Sequence, residues 1–107
     1  MKQAAIPLPF ALNDANFLKR LRSAAADSAH VLVMPHAKKR MRERKISMVQ
    51  ILACLKKGTI SEPAHLTQFG DWKATVTHRA AGDVVSVAVA LAKKEGGDYC
   101  VVVTVMK

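Results

Sequence analysis

The main change in hydrophobic periodicity along this chain of 107 residues falls at Gly58. Before Gly58, apolar residues recur every three to four positions, as they do on one face of an α-helix. After Gly58, apolar and polar residues alternate, as they do in strands that bury one face. Helices grouped before a run of strands predict an α+β fold, with the helices on one face of a curved antiparallel sheet of three to four strands.

Three helices are predicted before the change of period. Asn13 or Asp14 caps the first helix, which runs to about Ala26. Pro35 suits the first position of the second helix, because its missing N–H has no partner to lose there. That second helix should end near Lys45. Residues 1–12, which contain two prolines, are predicted to form an extended arm.

The third helix has the clearest boundary signals. Ser47 is a suitable N-cap, and Gln50 follows three residues later, as in a capping box. Lys56 and Lys57 favour the negative end of the helix dipole. Gly58 is expected to adopt the left-handed conformation that ends many helices.

The strand pattern is interrupted by short turns, which implies an antiparallel meander. One additional β-type run precedes the second helix. The first strand after Gly58 contains Pro63 and is therefore expected at a sheet edge. The predicted strand segments are 30–34, 59–66, 72–79, 84–92 and 99–106.

Positive charge is concentrated in one segment. The whole chain has a net charge of +9, and residues 35–57 carry eight Lys and Arg residues but a single acid, Glu43. Such a cluster is typical of surfaces that bind a phosphate backbone, an acidic protein or an anionic membrane. The alternative is a solvated helix face, although such faces usually mix both signs of charge.

Within this segment, His36, Arg40 and Arg44 are spaced four residues apart and share one helix face. Ala37 and Met41 lie beside that row and should face the sheet. Metal-independent RNA cleavage needs a group that transfers protons near neutral pH and cations that hold the phosphate, and His and Arg meet these needs. His36 is therefore the candidate acid/base, and the two arginines are candidate phosphate clamps.

Other basic residues are candidates for RNA binding. Those on the second helix lie on its exposed flank or next to that flank. Those on the strand 72–79 lie on its polar face, where they could form the other side of an RNA-binding groove beside the helix. These residues are Lys38, Lys39, Arg42, Lys45, Lys73 and Arg79. An alternative remains for the motif residues, since His36 could cap or pack against the helix and Arg40 or Arg44 could pair with Glu43.

The remaining histidines, aromatic residues and cysteines favour structural roles. His30 and His65 have no companions at ligand spacing, so neither a metal site nor another cofactor is predicted. Cys54 and Cys100 lie among apolar neighbours, which is typical of reduced thiols in a cytoplasmic protein. No segment is long and apolar enough to span a membrane, and the prolines near the N-terminus argue against a signal peptide. His78, Trp72 and Tyr99 are expected in or beside the core.

The segment 36–47, HAKKRMRERKIS, resembles the H-A-x-x-R-M-x-E-R-x-I-S signature of a family of small bacterial domains of unknown function. The resemblance covers about Ala29 to Met106, so residues 1–28 would be an arm and an extra helix, and residues 29–107 the domain itself. That family is similar to the RelE- and BrnT-like toxins of toxin–antitoxin systems. The resemblance implies a barnase/colicin/RelE-type fold, metal-independent endoribonuclease activity and an acidic antitoxin as partner. The motif residues of that family correspond to His36, Arg40 and Arg44 in this sequence.

Three functional hypotheses follow from the sequence. The first is a toxin-like endoribonuclease that binds RNA through a basic helix groove. The second is a non-catalytic module that binds RNA or DNA, and the third is a domain that binds an acidic protein. Many RelE-like toxins carry several Arg, Lys or Tyr residues on their late strands, whereas the last two strands here offer little beyond Thr104. The sequence indicates no oligomeric state.

Overall fold

A computed structural model describes residues 13–80 and 82–107. The arm predicted for residues 1–12 lies outside the described residues. The described residues form three α-helices, a short 3-10 turn at Ser28–His30 and five strands. The helices are α1 (Asp14–Ala25), α2 (Pro35–Arg44) and α3 (Met48–Lys57). The strands are β1 (Val31–Val33), β2 (Thr59–Leu66), β3 (Trp72–Ala80), β4 (Asp83–Lys94) and β5 (Gly97–Met106).

The five strands form one mixed sheet in the order β1-β5-β4-β3-β2. Strands β2 to β5 are the predicted antiparallel meander, with β2 at one edge and bulges on both sides of Glu62. The predicted α+β class is confirmed, but the sheet is not the predicted antiparallel sheet of three to four strands, because β1 adds a fifth strand parallel to β5. This pairing joins Val31 to Cys100, which are far apart in the sequence. A local pattern identifies such a short strand but does not specify its partner or direction.

The hydrophobic core lies between the helices and one face of the sheet. α1 contributes Phe17 and Leu21, and α3 contributes Ile51 and Leu55, all of which are fully buried. The central strand β4 directs alternate apolar side chains towards them, including fully buried Val87. None of the helices in the described ranges is long and apolar enough to cross a membrane.

The predicted helix starts of α1 and α3 are confirmed in atomic detail. The Asn13 side chain accepts a hydrogen bond from the backbone N–H of Asn16 at 2.8 Å, which caps α1. At α3, the Ser47 side chain accepts from the backbone N–H of Gln50, and the Gln50 side chain accepts from the Ser47 N–H. These caps satisfy donors that have no partner inside the helix and therefore fix where each helix begins.

Gly58 ends α3, but the predicted left-handed conformation is wrong. Its φ of −71° and ψ of 168° are extended, because β2 begins with the next residue. Glycine is required here by close approach. A Cβ at this position would lie 2.5 Å from the carbonyl oxygen of Cys54 and 3.0 Å from that of Thr77. The end of α3 therefore lies directly against β3.

We predict that Gly58→Ala lowers the free energy of unfolding by about 3 kcal/mol, the upper end of the range for overpacking, because backbone atoms must move to admit the methyl group. Gly70→Ala is the matched control. Gly70 has a φ of +88° and nothing within 4 Å of an added Cβ, so only the conformational penalty of about 1 kcal/mol applies. Urea denaturation measures both changes. Equal losses in the two variants would show that the contact at Gly58 is unimportant.

Candidate nucleic-acid interface

α2 is held to the domain along a narrow apolar strip. Pro35 occupies its first turn, as predicted, and the cap residue Met34 makes no side-chain capping hydrogen bond. Within the helix only Ala37 is fully buried, and Met41 is half-buried against the core. The helix packs against β5. Since alanine is small, α2 can approach the sheet closely while the rest of its circumference faces solvent.

The exposed part of α2 is strongly basic. Five Lys and Arg residues lie on the helix and a sixth, Lys45, ends it in the left-handed conformation with a φ of 54°. All except Arg40 are exposed. We call the exposed members the α2 basic surface: Lys38, Lys39, Arg42, Arg44 and Lys45. Arg42 and Arg44 lie in the last turn, where the helix dipole favours positive charge.

The three motif residues lie on α2 as their spacing requires, in different environments. His36 is exposed in the first turn, and Arg44 is exposed in the last turn. Arg40 is half-buried between them, and its Nη1 donates a hydrogen bond to Oε1 of Glu43 at 2.9 Å. The pairing with Glu43, considered above as an alternative, is therefore present for Arg40. The structure keeps all three side chains on one side of the helix.

A groove of about 390 Å³ lies on the opposite flank of α2 from the row of His36 and Arg40. Its lining is mainly apolar, although two members of the basic surface border it. The lining residues are Val33, Lys38, Met41, Arg42, Ile46 and Met48. The sequence predicted that Lys38 and Arg42 lie on an exposed stripe of α2, but it did not predict the apolar groove beside them. The available signal was the apolar pair Ile46 and Met48 directly after the helix.

Lys73 and Arg79 lie on the other side of the sheet. Alternate residues of β3, Ala74 and Val76, point into the core beneath the helices. Lys73 and Arg79 belong to the second set of positions, on the face that no described helix covers. The structure therefore does not bring these two residues together with His36 across one groove.

The sheet face opposite the helices is lined by small and hydroxyl side chains, of which Thr75 and Ala88 are buried. Thr104 of β5, Ala88 of β4 and Thr75 of β3 lie in register across it. The hydroxyl of Thr75 donates to Oε1 of Glu62 at 2.6 Å. Thr104, the polar residue identified on the last strand, thus shares a surface with Lys73 and not with α2.

α1 carries a smaller basic cluster, Lys19, Arg20 and Arg22, which is largely engaged in structural contacts. Arg20 makes two hydrogen bonds to the carboxylate of Asp98, at 2.9 and 3.0 Å. This side-chain hydrogen bonding lowers the pKa of Asp98 and raises that of Arg20. Arg22 donates to the carbonyl oxygen of Gly58 at 2.6 Å. Both arginines fasten α1 to the rest of the domain, and Lys19 remains exposed.

The other histidines do not surround His36. His30 stacks on Tyr99 with ring centroids 4.3 Å apart and an interplanar angle of 4°, and a ring nitrogen lies 3.1 Å from the carbonyl oxygen of Asp98. His78 lines a small cavity between α3 and the sheet. His65 is exposed on the edge strand. Among residues 13–80 and 82–107, no three His, Cys, Asp or Glu side chains gather in a way that could hold a metal ion.

Both cysteines are buried and unbridged, as predicted. Burial raises the pKa of the Cys54 thiol to about 11 and that of Cys100 to about 12. Each sulfur contacts a backbone carbonyl oxygen, that of Val76 at 3.3 Å for Cys54 and that of Leu21 at 3.5 Å for Cys100. Since the thiolate is the reactive form, both residues act as core side chains.

Comparison with known proteins identifies a family for most of the chain. Residues 33–107 match the domain of unknown function DUF4258. The matched region begins at the end of β1 and contains α2, α3 and strands β2 to β5. No curated protein and no solved structure matches the chain. α1 precedes the matched region, although its Phe17 and Leu21 belong to the same core. The chain belongs to the DUF4258 family of domains of unknown function.

Proposed function

We propose that this protein binds RNA through the α2 basic surface. The observation that carries the proposal is the concentration of exposed cations on one helix whose only acid, Glu43, already pairs with Arg40. Each cation that replaces condensed counterions on a phosphate backbone releases them, and this release favours binding. Arg42 and Arg44 also present planar forks that match phosphate oxygens.

Two considerations favour RNA over an anionic membrane and over DNA. A helix that lies on a membrane needs an apolar face to insert among the lipids. The apolar strip of α2, Ala37 and Met41, is instead turned towards the sheet and core. The segment 36–47 resembles the signature of a family of domains of unknown function that is similar to RelE- and BrnT-like toxins, and this resemblance favours RNA over DNA. We include in the proposal a RelE-type arrangement of the helices against the sheet. The order of α2, α3 and the meander along the chain is compatible with that arrangement.

Metal-independent RNA cleavage is the second candidate function. The specific observation in its favour is that His36, Arg40 and Arg44 share one side of an exposed helix, with Arg40 oriented by Glu43. His36 would accept the proton of the 2′-hydroxyl as its oxygen attacks the phosphorus and the bond from phosphorus to the 5′-oxygen breaks. The leaving 5′-oxygen would take a proton from water, and the arginines would stabilise the charge on the phosphate. In this toxin-like role, an acidic antitoxin-like protein would cover the α2 basic surface, as the resemblance implies.

We predict that Lys39→Gln/Arg44→Gln weakens binding of a labelled single-stranded oligoribonucleotide about tenfold at moderate salt. Loss of two phosphate contacts should also reduce the slope of log affinity against log salt by about 1.4, since each contact contributes about 0.7. Neither residue lines the apolar groove. Fluorescence anisotropy across a salt series measures both quantities.

The control for this experiment is Lys93→Gln/Lys94→Gln, which removes the same charge from exposed positions at the end of β4. This control should keep most of the parent affinity. Equal losses in the two double variants would mean that only the total charge matters. That result would contradict a binding surface on α2.

For the second candidate, we predict that His36→Ala lowers the rate of RNA cleavage at least a hundredfold, the typical contribution of a general acid or base. RNA binding should persist, because His36 is exposed and the cations remain. Purified parent and variant proteins are incubated with mixed RNA in chelator, and the products are separated on a gel. His65→Ala, at another exposed histidine, is the matched control and should cleave as the parent does. Equal cleavage by His36→Ala, or no cleavage by any of the proteins, would exclude the catalytic role.

A further inference from the structure

The apolar groove beside α2 is built from rigid parts of the fold. Val33 is anchored by the parallel pairing of β1 with β5. Ile46 is held after the helix by a hydrogen bond from its backbone N–H to the carbonyl oxygen of Met41, at 2.9 Å. The left-handed conformation of Lys45 turns the chain there, so that Ile46 is buried and Met48 is half-buried beside it. The groove therefore exists before any partner arrives, and binding does not have to order it.

The chemistry of the groove differs from that of the basic surface around it. Its walls and floor are the aliphatic and thioether side chains of Val33, Met41, Ile46 and Met48. An RNA backbone offers phosphates and sugars, which gain little from such a lining. None of the lining residues is aromatic, so the groove provides no stacking platform for bases. Aliphatic side chains of a protein would bury apolar surface there, and methionine adapts to their shape.

The rim of the groove specifies the charge of that protein. Lys38 and Arg42 are one helical turn apart, and both are exposed where they border the apolar lining. Within the described residues neither forms an ion pair. A chain that places aliphatic side chains in the groove would bring its flanking residues next to these two cations. Carboxylates at those positions are electrostatically complementary.

We propose that this groove is the docking site for an acidic segment of a partner protein that inserts aliphatic side chains between Met41, Ile46 and Met48. The inference goes beyond RNA binding and does not rest on it, because it depends on the apolar lining. RNA and the partner segment would share only the cations at the rim, Lys38 and Arg42. Their binding would therefore be competitive in part.

A display selection tests the chemistry of the partner without assuming its identity. A library of random peptides is selected on the full chain and counter-selected on Lys38→Glu/Arg42→Glu. We expect the enriched peptides to combine two or more aliphatic residues with flanking acids. Enriched peptides that are merely acidic, or that are basic or aromatic, would overturn the proposal. So would a selection that enriches nothing.

The site itself is tested with one enriched peptide and its scrambled version. Lys38→Glu/Arg42→Glu should weaken binding of the enriched peptide about tenfold, since each rim contact is a partly exposed ion pair. Lys56→Glu/Lys57→Glu makes the same charge change at the exposed end of α3 and should weaken binding less than twofold. Circular dichroism verifies that each variant is folded. Equal effects of the two double variants, or equal binding of the scrambled peptide, would overturn the proposal.

Methionine methyl NMR then locates the peptide within the domain. Met41 and Met48 line the groove, and Met106 at the end of β5 serves as an internal control. We expect the peptide to shift the methyl resonances of Met41 and Met48 and to leave that of Met106 in place. An oligoribonucleotide that shifts the same two methyl groups would assign the groove to nucleic acid. Shifts that appear on concentrating the protein alone would assign it to a second copy of this chain, and either result overturns the proposal.

Discussion

The functional surface depends on the packing of α2 against β5, in which Ala37 is fully buried. α2 carries like charges one turn apart, Lys38 with Arg42 and Arg40 with Arg44, and such pairs repel each other within a helix. Burial of Ala37 and Met41 and the ion pair with Glu43 offset that repulsion. The helix is thus held in place by one narrow side while its other sides remain positive. An anion bound to α2 would relieve the remaining repulsion, which links the stability of the helix to the proposed function.

α2 presents two chemically distinct flanks. One carries His36 and Arg40, which are suited to holding a phosphate. The other carries Lys38 and Arg42 beside an apolar groove, which is suited to a protein chain. Both flanks belong to the same short helix, so a partner in the groove would alter access to the cations used for RNA. Lys73 and Thr104 belong to a separate surface, on the face of the sheet opposite the helices.

The elements that the sequence predicted correctly are those whose boundaries are set by interactions between residues close together in the chain. The capping box at Ser47 and the edge strand around Pro63 follow from hydrogen bonds and backbone geometry within a few residues. The parallel pairing of β1 depends on a contact with Cys100 that no local pattern contains. Gly58 shows a related limit of pattern reasoning. Its sequence context is typical of a left-handed helix end, whereas the approach of Thr77 from β3 decides its actual role.

The candidate site was predictable in its charges and less so in its geometry. The spacing of His36, Arg40 and Arg44 placed them correctly on one side of α2, because helical periodicity alone determines that. The distribution of Lys73 and Arg79 to the opposite sheet face follows from which side of β3 the helices cover. The groove bordered by Lys38 required the turn after α2 to be known, and Lys45 adopts a left-handed conformation that its residue type does not favour.

We propose above that RNA binds this domain on α2. Amide NMR with a short single-stranded oligoribonucleotide tests it most directly, because both candidate surfaces are read in one titration. The largest shifts should fall on the α2 basic surface, with Lys39 and Arg44 among them, and should diminish as salt is raised. The largest shifts at Lys73, Arg79 and Thr104, with α2 unchanged, would contradict this proposal and assign RNA binding to the sheet face opposite the helices.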